Sequence, residues 1–587
     1  MDLFQGREVE FFGPWAQPID SPEDLKKPNF EPYDIPDSIY QASLSIFDTT
    51  QDIFKRLAEL MQDLTGVKTG QRFWRLYLSH YVLTLAIIVE DIKRRHYSLP
   101  EKDYTIGMSS KTNNIRLPYS WDDAEEQLFY GQDFRHRAIT AYINNFYKKN
   151  ELVEYQECKR KRLSSRFSDF YSRLICGELN ILLKKAVSLL SLGKDQNVDN
   201  LSQDTSIAVW EVYHAEKFNF KQLKAYVFSE KLLPSIKSFP RFKVDIAKRE
   251  IIRKILPAPY GELVSLSLPL LALEGLNYQF SILKRDIAPL FKNIKKIYTH
   301  GHVFEDNDPK RALISILAEE NKEIISIQHG GGGGSYGVCS QLFLERTIAD
   351  EYIAWGKGYS FSSGLSNTNR SKAIPSYYLS IIKKNSQSKR RNKIKFKNLI
   401  VVFEESRYVK YYYPSLFSDI AYDYFKRQKL LLDYFSGLTG TVIKVYPWDY
   451  GWGQAEWIKK KYPKTKIFVS GKFVNYAVGA ELIIVDYNST PFIEALAMNR
   501  PFLSTWNRKW FKGNTLFERC VDSLIGAGIF FENPSDLIEA YKQISSMGIE
   551  EWWQDKHRQD IVKAMANDFA LTATEPEKYW LQEFNSH

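Results

Sequence analysis

The sequence predicts an α/β protein with two Rossmann-like domains and a helix-rich N-terminal half. Between about 36 and 255, apolar residues recur at three- and four-residue spacing, which is typical of amphipathic helices. Between 295 and 330, and again after 398, short apolar strands alternate with helical segments. A strand, a helix and a second strand form the parallel crossover unit of an α/β sheet, so two such regions predict two parallel sheets.

The helical pattern of the first half is clearest in three long segments: "IYQASLSIFDTTQDIFKRLAELMQDL", "RFWRLYLSHYVLTLAIIVEDIKRR" and "RFSDFYSRLICGELNILLKKAVSLLSL". The first α/β region follows, with the predicted strand "KKIYTH", the helix "RALISILAEENK" and the strand "EIISIQH". The second region has the predicted strands "NLIVVFEES", "TVIKVYPWDYGW", "KIFVSG", "AELIIVDYNS" and "PFLSTW", with helices at "LLLDYFSGL" and "TPFIEALAMN".

These elements predict four parts of the chain. Residues 1–345 form a helix-rich α/β domain, and 346–397 form a connecting segment with a basic linker. Residues 398–560 form a Rossmann-like domain, and 561–587 form a helical tail that could cross back to the N-terminal domain. Two Rossmann-like domains that face a cleft are the layout of the GT-B fold, so we expect that fold class here.

Composition indicates a globular protein in a reducing compartment. A chain of 587 residues with 44% hydrophobic content can bury a large core. Its four cysteines are far apart, without a CxxC pair or a nearby histidine cluster, which argues against a disulfide framework and a structural zinc site. The longest apolar runs contain acidic residues and are too short to cross a bilayer, so we expect a cytoplasmic protein.

The net charge of +10 is concentrated in short basic runs at 92–96, 159–162 and 388–397. Such runs are most often solvated helix faces or linkers, and anionic lipid or an anionic substrate are the alternatives. The aromatic residues are not interleaved with these runs, and no nucleic-acid module signature is present. We therefore expect no nucleic-acid partner.

The run "QHGGGGGSYG" is the most unusual stretch of the sequence. Glycine loses more backbone entropy on ordering than any other residue, so five in a row indicate unusual dihedrals or a close approach to another group. His329 ends the preceding predicted strand. The residues after His329 could direct backbone N–H groups at an anion or let a substrate lie against the main chain. They are Gly330, Gly331, Gly332 and Tyr336. The alternative is a flexible hairpin; a P-loop is excluded because no Gly-Lys-Ser/Thr follows.

A second polar loop, "YTHGHVFEDND", follows the preceding strand along the chain. Ligands bind beyond the carboxyl ends of parallel strands, so this loop is expected near His329. It supplies four titratable groups suited to proton transfer: His300, His302, Glu305 and Asp306. Asp308 precedes Pro309 and is expected only to cap the next helix.

The stretch "VDYNSTPFIEAL" predicts an anion site at a helix start. A strand ends at Asp486, and the pattern places Thr490 at the N-cap and Pro491 at the first helical position. Free N–H groups and the positive end of the helix dipole, beside the hydroxyls of Ser489 and Thr490, suit a phosphate. Glu494 lies one position beyond that used by a capping box, so its carboxylate is expected to be free to reach a ligand hydroxyl. A plain capped helix is the alternative.

Two further loops, "FEESRYVKYYYP" and "KVYPWDYGW", follow the first two strands of the second region. They combine charges with aromatic faces that could hold a base or a sugar ring, or they could be surface aromatics packed over loops. The residues concerned are Glu404, Glu405, Arg407, Lys410, Tyr446, Pro447, Asp449 and Trp452.

Taken together, "IQHGG", "ADEYIAWG", "YPWDYGW", "DYNSTPFIEALAMNRP", "GIEEWWQD" and "YWLQEF" resemble a family of bacterial transferases from surface-carbohydrate gene clusters, those for lipopolysaccharide, capsule or flagellin glycans. "VEFFGPW" and "GQRFWRLYLSHYV" fit the same family, so the resemblance spans nearly the whole chain. This family is distantly similar to GT-B glycosyltransferases that use CMP-activated Kdo or nonulosonic acids. Those enzymes grip cytidine monophosphate with a His-Pro motif and a Ser-Ser/Thr motif.

The resemblance implies transfer of a sugar from a CMP-activated donor to a glycan or lipid-linked acceptor. Ser489 and Thr490 match the Ser-Ser/Thr pair, whereas Tyr446 and Pro447 lie where His-Pro would fall, with tyrosine in place of the histidine. The Rossmann-like C-terminal domain would bind the donor, and the N-terminal domain the acceptor. A group from the N-terminal domain would deprotonate the acceptor or attack the anomeric carbon: His300, Glu305, Asp306 or His329.

The same family resemblance implies that the enzyme uses no metal and no cofactor, because a CMP donor has a single phosphate. Peripheral contact with the inner membrane would let basic patches meet a lipid-linked acceptor. Three alternatives stay open: a GT-B sugar-nucleotide epimerase, a CDP-linked glycerol-phosphate-type transferase, and a non-catalytic glycan- or nucleotide-binding protein.

Overall fold

The computed structural model describes most of the chain after residue 238 and separate stretches before it. The described residues are 21–26, 37–97, 107–109, 117–130, 134, 138–139, 141–142, 153–155, 206–210, 225–228, 232–235, 239–301, 308–361, 370–389, 395–403, 420–447 and 449–585. The helical segment predicted from "RFSDFYSRLICGELNILLKKAVSLLSL" lies outside them.

Helices dominate the described part of the first half and alternate with strands in the second. They are α1 (Asp37–Thr65), α2 (Gln71–Tyr97), α3 (Trp121–Tyr130), α4 (Ile246–Ile255), α5 (Tyr260–Ser267), α6 (Leu270–Leu273), α7 (Leu276–Ile282), α8 (Asp308–Glu319), α9 (Gly332–Ser335), α10 (Ser340–Ile348), α11 (Tyr377–Lys389), α12 (Ala421–Phe435), α13 (Gln454–Lys461), α14 (Phe473–Ala477), α15 (Thr490–Met498), α16 (Thr515–Gly526), α17 (Pro534–Met547), α18 (Ile549–Trp553), α19 (Lys556–Phe569) and α20 (Pro576–Asn585).

The strands form a two-stranded pair and two larger sheets, all with parallel pairing. They are β1 (Gly107–Ser109), β2 (Val153–Tyr155), β3 (Ile207–Val209), β4 (Ala225–Val227), β5 (Lys296–Thr299), β6 (Glu323–Ile327), β7 (Glu351–Ala354), β8 (Arg370–Ala373), β9 (Phe396–Val401), β10 (Thr441–Lys444), β11 (Lys466–Phe468), β12 (Ala480–Val485) and β13 (Phe502–Ser504).

The first large sheet has six strands in the order β4-β3-β5-β6-β7-β8. Ile297 of β5 pairs with Ile324 of β6, and Ile325 pairs with Glu351 of β7. Parallel strands are covered on both faces, which explains their nearly continuous apolar runs. The order reverses between β3 and β5, so the carboxyl ends of these strands mark a switch point where a ligand can enter.

The second large sheet has five strands in the order β11-β10-β9-β12-β13. Leu399 of β9 pairs with Ile483 of β12, at the centre of the sheet. The order reverses between these two strands, so the loop after β12 lies at the switch point of this sheet. The predicted α/β class is confirmed: the described chain has two Rossmann-like parallel sheets and a helix-rich N-terminal half.

The helices of the first half pack over the six-stranded sheet as one apolar core. Helix α2 packs against α1 and α8, and its buried face includes Trp74 and Tyr77. The edge-to-face contact of Tyr77 with Trp121 joins α3 to this core. Among the described residues, no helix combines the length and apolar character needed to cross a membrane.

The segment 346–397 differs from its predicted role as a connection. It contains β7, β8 and α11, and the two strands complete one side of the six-stranded sheet. These strands are four residues each, and β8, "RSKA", carries two cations, so neither has the apolar run that marks a strand in a sequence. The first sheet therefore extends to residue 373.

Helix α20, near the end of the chain, covers one face of the six-stranded sheet. Trp580 and Phe584 are buried against Tyr298 and the isoleucines of β6 and β7. The Trp580 indole N–H donates to the Pro375 carbonyl at 3.1 Å, and Glu583 pairs with Lys372 of β8 at 2.6 Å. The final helix thus belongs to the core of the first sheet.

Candidate functional site

The candidate proton-transfer groups lie at the carboxyl edge of the six-stranded sheet. His300 directly follows β5, and His329 lies two residues after β6. Because β5 and β6 are adjacent parallel strands, the two imidazole rings meet, with centroids 5.3 Å apart. The sequence prediction placed these histidines as neighbours, and the topology of the sheet explains why they are.

A buried glutamate stands behind His329. Glu345 of α10 is 2% exposed, and its Oε1 lies 3.6 Å from Nδ1 of His329. Its other oxygen, Oε2, accepts a hydrogen bond from the Ser326 hydroxyl at 2.9 Å. The Ser326 bond fixes the carboxylate, so the carboxylate can hold the imidazole and stabilise its protonated form.

The glycine run forms the short helix α9 and lies against the second half of the chain. The Gly331 N–H donates to the Thr490 hydroxyl oxygen at 3.1 Å. A Cβ atom on Gly331 would come within 2.7 Å of Cγ1 of Ile493 and 3.1 Å of the Ser489 carbonyl oxygen. The close approach required at Gly331 is therefore to the protein's own helix α15.

Further hydrogen bonds close the same junction around the glycine run. The Tyr336 hydroxyl donates to the Asn488 carbonyl, and the Ser335 hydroxyl donates to the Asn488 side-chain oxygen at 3.3 Å. The Asn514 side chain donates to the carbonyls of Gly334, at 2.8 Å, and Gly358, at 3.0 Å. These contacts hold the loop after β6 against the second sheet.

The start of α15 differs from its prediction by one position. Ser489, not Thr490, is the N-cap, so Thr490 is the first helical residue and Pro491 the second. Proline has no N–H, and the N–H groups of Phe492 and Ile493 both donate to the Ser489 carbonyl. Among the described residues, no backbone carbonyl therefore accepts a hydrogen bond from the Thr490 N–H or from the hydroxyls of Ser489 and Thr490.

Glu494 does not have the free carboxylate expected from its spacing. It is 5% exposed and accepts a hydrogen bond from the Tyr378 hydroxyl of α11. Burial raises the pKa of Glu494 from 4.5 to about 7, and the Tyr378 hydrogen bond opposes the rise. This side chain therefore joins two helices instead of facing a ligand.

Asp486 is likewise enclosed by the protein. Its Oδ2 accepts hydrogen bonds from the Gln428 side chain at 2.7 Å and from the Tyr424 hydroxyl at 3.1 Å. Burial raises the pKa of Asp486 from 3.8 to about 7. Gln454 donates to the Gln428 side-chain oxygen at 2.6 Å, so the carboxyl group is part of a buried polar network under the switch point.

Aromatic rings crowd the carboxyl edge of the five-stranded sheet. Phe403, which follows β9, stacks on Tyr487 with centroids 4.3 Å apart and meets Tyr446 edge-on at 4.9 Å. Tyr446 in turn stacks with Tyr450 at 5.2 Å. Pro447 is exposed beside them. The rings pack on one another, and the partly exposed Tyr446 and Tyr450 give this edge an aromatic surface.

Several predicted site residues lie outside the described part of the chain. They are His302, Glu305 and Asp306 in the loop after β5, and Glu404, Glu405, Arg407 and Lys410 in the loop after β9. Asp308 follows the first of these loops and is the first residue of α8. Its Oδ2 accepts a hydrogen bond from the Trp121 backbone at 2.7 Å, so it ties α8 to α3.

Across the described residues, no group of three or more His, Cys, Asp or Glu side chains is placed to hold a metal ion. Five described side chains of this site offer groups for chemistry. They are the imidazoles of His300 and His329, the carboxylate of Glu345, and the hydroxyls of Ser489 and Thr490. The loop that carries His329 and the helix start that carries Ser489 and Thr490 are joined by the hydrogen bond from Gly331 to Thr490.

A family model for transferases matches residues 2–584, nearly the whole length of the sequence. The chain belongs to the LIC12162 family of transferases. The predicted transferase class is thereby confirmed, whereas the link to surface-carbohydrate clusters and to CMP-activated donors stays a prediction. No curated protein matches the sequence of this LIC12162 family transferase.

Solved structures with a similar arrangement are remote. α,α-Trehalose-6-phosphate synthase from Burkholderia multivorans is 10% identical with a TM-score of 0.35, covering 65% of this chain and 97% of its own. The wall teichoic acid polymerase TagF is 11% identical with a TM-score of 0.33, covering 71% and 97%. MnaA from S. aureus, solved with UDP, is 11% identical with a TM-score of 0.34, covering 64% and 94%. At such scores these likenesses carry no argument about activity.

Three residues of the candidate site of this LIC12162 family transferase were not predicted from the sequence. Glu345 lies in a helix with no motif around it, and only the fold brings it to His329. Asn488 was visible within "DYNSTP", but nothing in the sequence showed that it bonds to the glycine run. Asn514 caps α16 and reaches the same run from a loop distant in sequence.

Proposed function

We propose that this transferase moves a sugar, a Kdo- or sialic-type ulosonic acid, from a CMP-activated donor to a hydroxyl of a glycan or lipid-linked acceptor. The observation that carries the proposal is the contact between Gly331 and Thr490. It brings the loop that bears His329 against the helix start that bears Ser489 and Thr490. A base and a set of hydrogen-bond donors for a leaving phosphate are thus brought to one junction.

His329 is the proposed general base. Its side chain is 14% exposed, so it can reach a bound acceptor while Glu345 supports it from the buried side. The imidazole takes the proton of the acceptor hydroxyl, and the hydroxyl oxygen forms a bond to the anomeric carbon as the bond from that carbon to the phosphate oxygen breaks. His300, whose ring lies beside His329, is the second proposed proton-transfer group.

The departing CMP carries the growing negative charge in this scheme. The Ser489 and Thr490 hydroxyls and the Thr490 N–H, at the positive end of the α15 dipole, supply donors for its phosphate. The aromatic edge that includes Tyr446 and Tyr450 is proposed to hold the cytosine ring. No metal or cofactor is part of the proposal.

A nucleotide titration tests the donor assignment. CMP, CDP, UDP and GDP are titrated calorimetrically into the wild type and into Thr490→Ala and Ser489→Ala. We expect CMP to bind most tightly and both variants to lose affinity for it. Thr515→Ala is the matched control, because Thr515 is also the first residue of a helix but is exposed. Preference for UDP or GDP would contradict the CMP assignment, and preference for CDP would favour glycerol-phosphate transfer.

A second assay separates transfer from epimerisation and from binding alone. A GT-B epimerase converts its nucleotide sugar without an acceptor, whereas a transferase releases nucleotide only slowly until an acceptor is added. We expect His329→Asn to lower kcat about a hundredfold or more and to leave nucleotide affinity unchanged. Full biological output from this variant would support a non-catalytic binding protein instead.

A further inference from the structure

An apolar and basic surface lies on the helical half of the protein, around α4. Four of its apolar side chains are exposed although they fall within twelve residues of sequence: Val244 at 44%, Ile246 at 78%, Ile251 at 40% and Ile255 at 56%. Single exposed apolar residues are normal on soluble proteins, but Ile251 and Ile255 are one helical turn apart and therefore expose apolar surface on the same face of α4. We call these four residues and the cations Arg241, Lys243, Arg253 and Lys254 the α4 surface.

The outward orientation of the α4 surface is fixed by the opposite side of the helix. Arg249 is 6% exposed and forms a two-pronged ion pair with Glu274, with both nitrogen–oxygen distances at 3.0 Å. Its guanidinium also donates to the carbonyls of Ser265 and Leu268. Ile252 is fully buried beside it. These contacts prevent the helix from rotating to hide its isoleucines.

The charge around these isoleucines is strongly positive. Residues 239–256 contain six Lys or Arg and two Asp or Glu. Both acids are already engaged, because Asp245 caps α4 through the Lys248 N–H and Glu250 pairs with Arg253. The side chains of Lys254 and Arg253 are 72% and 55% exposed, and because both lie near Glu250, that acid offsets one of their two charges.

A neighbouring helix widens the same surface. Tyr278 of α7 is 43% exposed, and its ring meets that of Phe242 with centroids 5.9 Å apart. Lys284 and Arg285 are exposed in the π-helical segment that follows α7, where Arg285 forms an ion pair with Asp286. An amphipathic tyrosine between apolar residues and cations is the composition that suits the headgroup level of a bilayer.

We propose that the α4 surface docks the protein on a membrane that contains anionic phospholipid. The isoleucines would enter the boundary between headgroups and acyl chains, and the cations would meet lipid phosphates. A second copy of the chain is the weaker candidate, because two such surfaces would place their cations face to face. The proposal goes beyond the transfer reaction, since it assigns a binding surface that contains none of the site residues.

Vesicle sedimentation tests the proposal on the full-length protein without donor or acceptor. Vesicles of phosphatidylglycerol mixed with phosphatidylcholine are compared with pure phosphatidylcholine, at low and high salt. We expect binding to the anionic vesicles only, weakening as salt increases. Lys243→Glu with Lys254→Glu, and separately Ile251→Glu with Ile255→Glu, are expected to weaken binding about tenfold or more.

The matched control is Ile525→Glu, because Ile525 of α16 is 40% exposed, like Ile251, but lies outside the α4 surface. It is expected to bind vesicles like the wild type. If the isoleucine variant unfolds, judged by circular dichroism, the charge variant still decides the question. Absence of vesicle binding, equal binding by all variants, or a dimer in light scattering that the isoleucine variant dissociates would overturn the proposal. None of these outcomes would bear on the transfer reaction.

Discussion

The amide nitrogen of Gly331 lies 3.1 Å from the hydroxyl oxygen of Thr490, although 159 positions separate them in sequence. This hydrogen bond joins the loop after β6 of the first sheet to the first turn of α15 in the second. The space for a Cβ atom at Gly331 is already occupied by Ile493 and Ser489. The glycine is therefore required by the junction between the two sheets.

Gly331→Ala is expected to lower the free energy of unfolding by about 1 to 3 kcal/mol, because the added methyl group overpacks the junction. Nucleotide affinity should fall with it, since the α15 start has to move. Denaturant unfolding and calorimetry measure the two effects. The control is Gly526→Ala in α16, where the added Cβ meets nothing within 4 Å. That variant should be neutral or more stable by up to about 1 kcal/mol; equal effects of the two variants would refute the packing argument.

Glu345→Gln is expected to lower kcat about ten- to a hundredfold, because the imidazolium formed at His329 loses its carboxylate partner. KM and nucleotide affinity should stay near the wild-type values, since Glu345 is buried behind the histidine. Steady-state kinetics with donor and acceptor measure kcat and KM separately and so check that only kcat changes. Glu320→Gln, an exposed glutamate, is the control. A change confined to KM would show that Glu345 acts on binding instead.

Asp486 is expected to make stability fall as pH rises. Its pKa is raised by burial to about 7, above the ordinary 3.8, so between these values the folded state holds a proton that the unfolded state has released. The free energy of unfolding should therefore drop by about 1.4 kcal/mol per pH unit from this group and level off above pH 7. Asp486→Asn should make the slope less steep in denaturant unfolding from pH 4.5 to 8, leaving the share of Glu494, whose pKa burial also raises to about 7. Asp560→Asn, an exposed control, should leave it unchanged.

Trp580→Ala is expected to destabilise the protein by about 3 to 5 kcal/mol, because its ring is 3% exposed against the face of the first sheet. Tyr579, the preceding residue of α20, is 50% exposed, so Tyr579→Ala should cost little. Thermal unfolding of the two variants measures the difference. Similar melting temperatures would mean that α20 contributes little to the sheet.

Strong local patterns made much of the fold predictable. The runs "EIISI" and "AELIIV" became β6 and β12, and the periodic segment around Thr490 became α15. β7 and β8 were missed because short strands at one side of the sheet carry charged residues. Their place is determined by the pairing of β7 with β6 and of β8 with β7, which is not a local property.

The candidate site was predicted in part. His300 and His329 were found because residues that follow adjacent parallel strands meet at one edge. The free carboxylate expected at Glu494 was wrong, because its partner Tyr378 comes from a distant helix. The partner of Asp486, Gln428, likewise lies far away in sequence. The start of α15 was misplaced by one residue because serine and threonine both suit an N-cap.

The position of α20 on the first sheet has a consequence for biosynthesis. Trp580 and Phe584 are synthesised well after the strands that they cover, which are made from residues near 298, 325 and 353. Until α20 has been made, that face of the nascent sheet lacks the cover of these two side chains. We therefore expect the six-stranded sheet to complete its packing only after the five-stranded sheet has been synthesised.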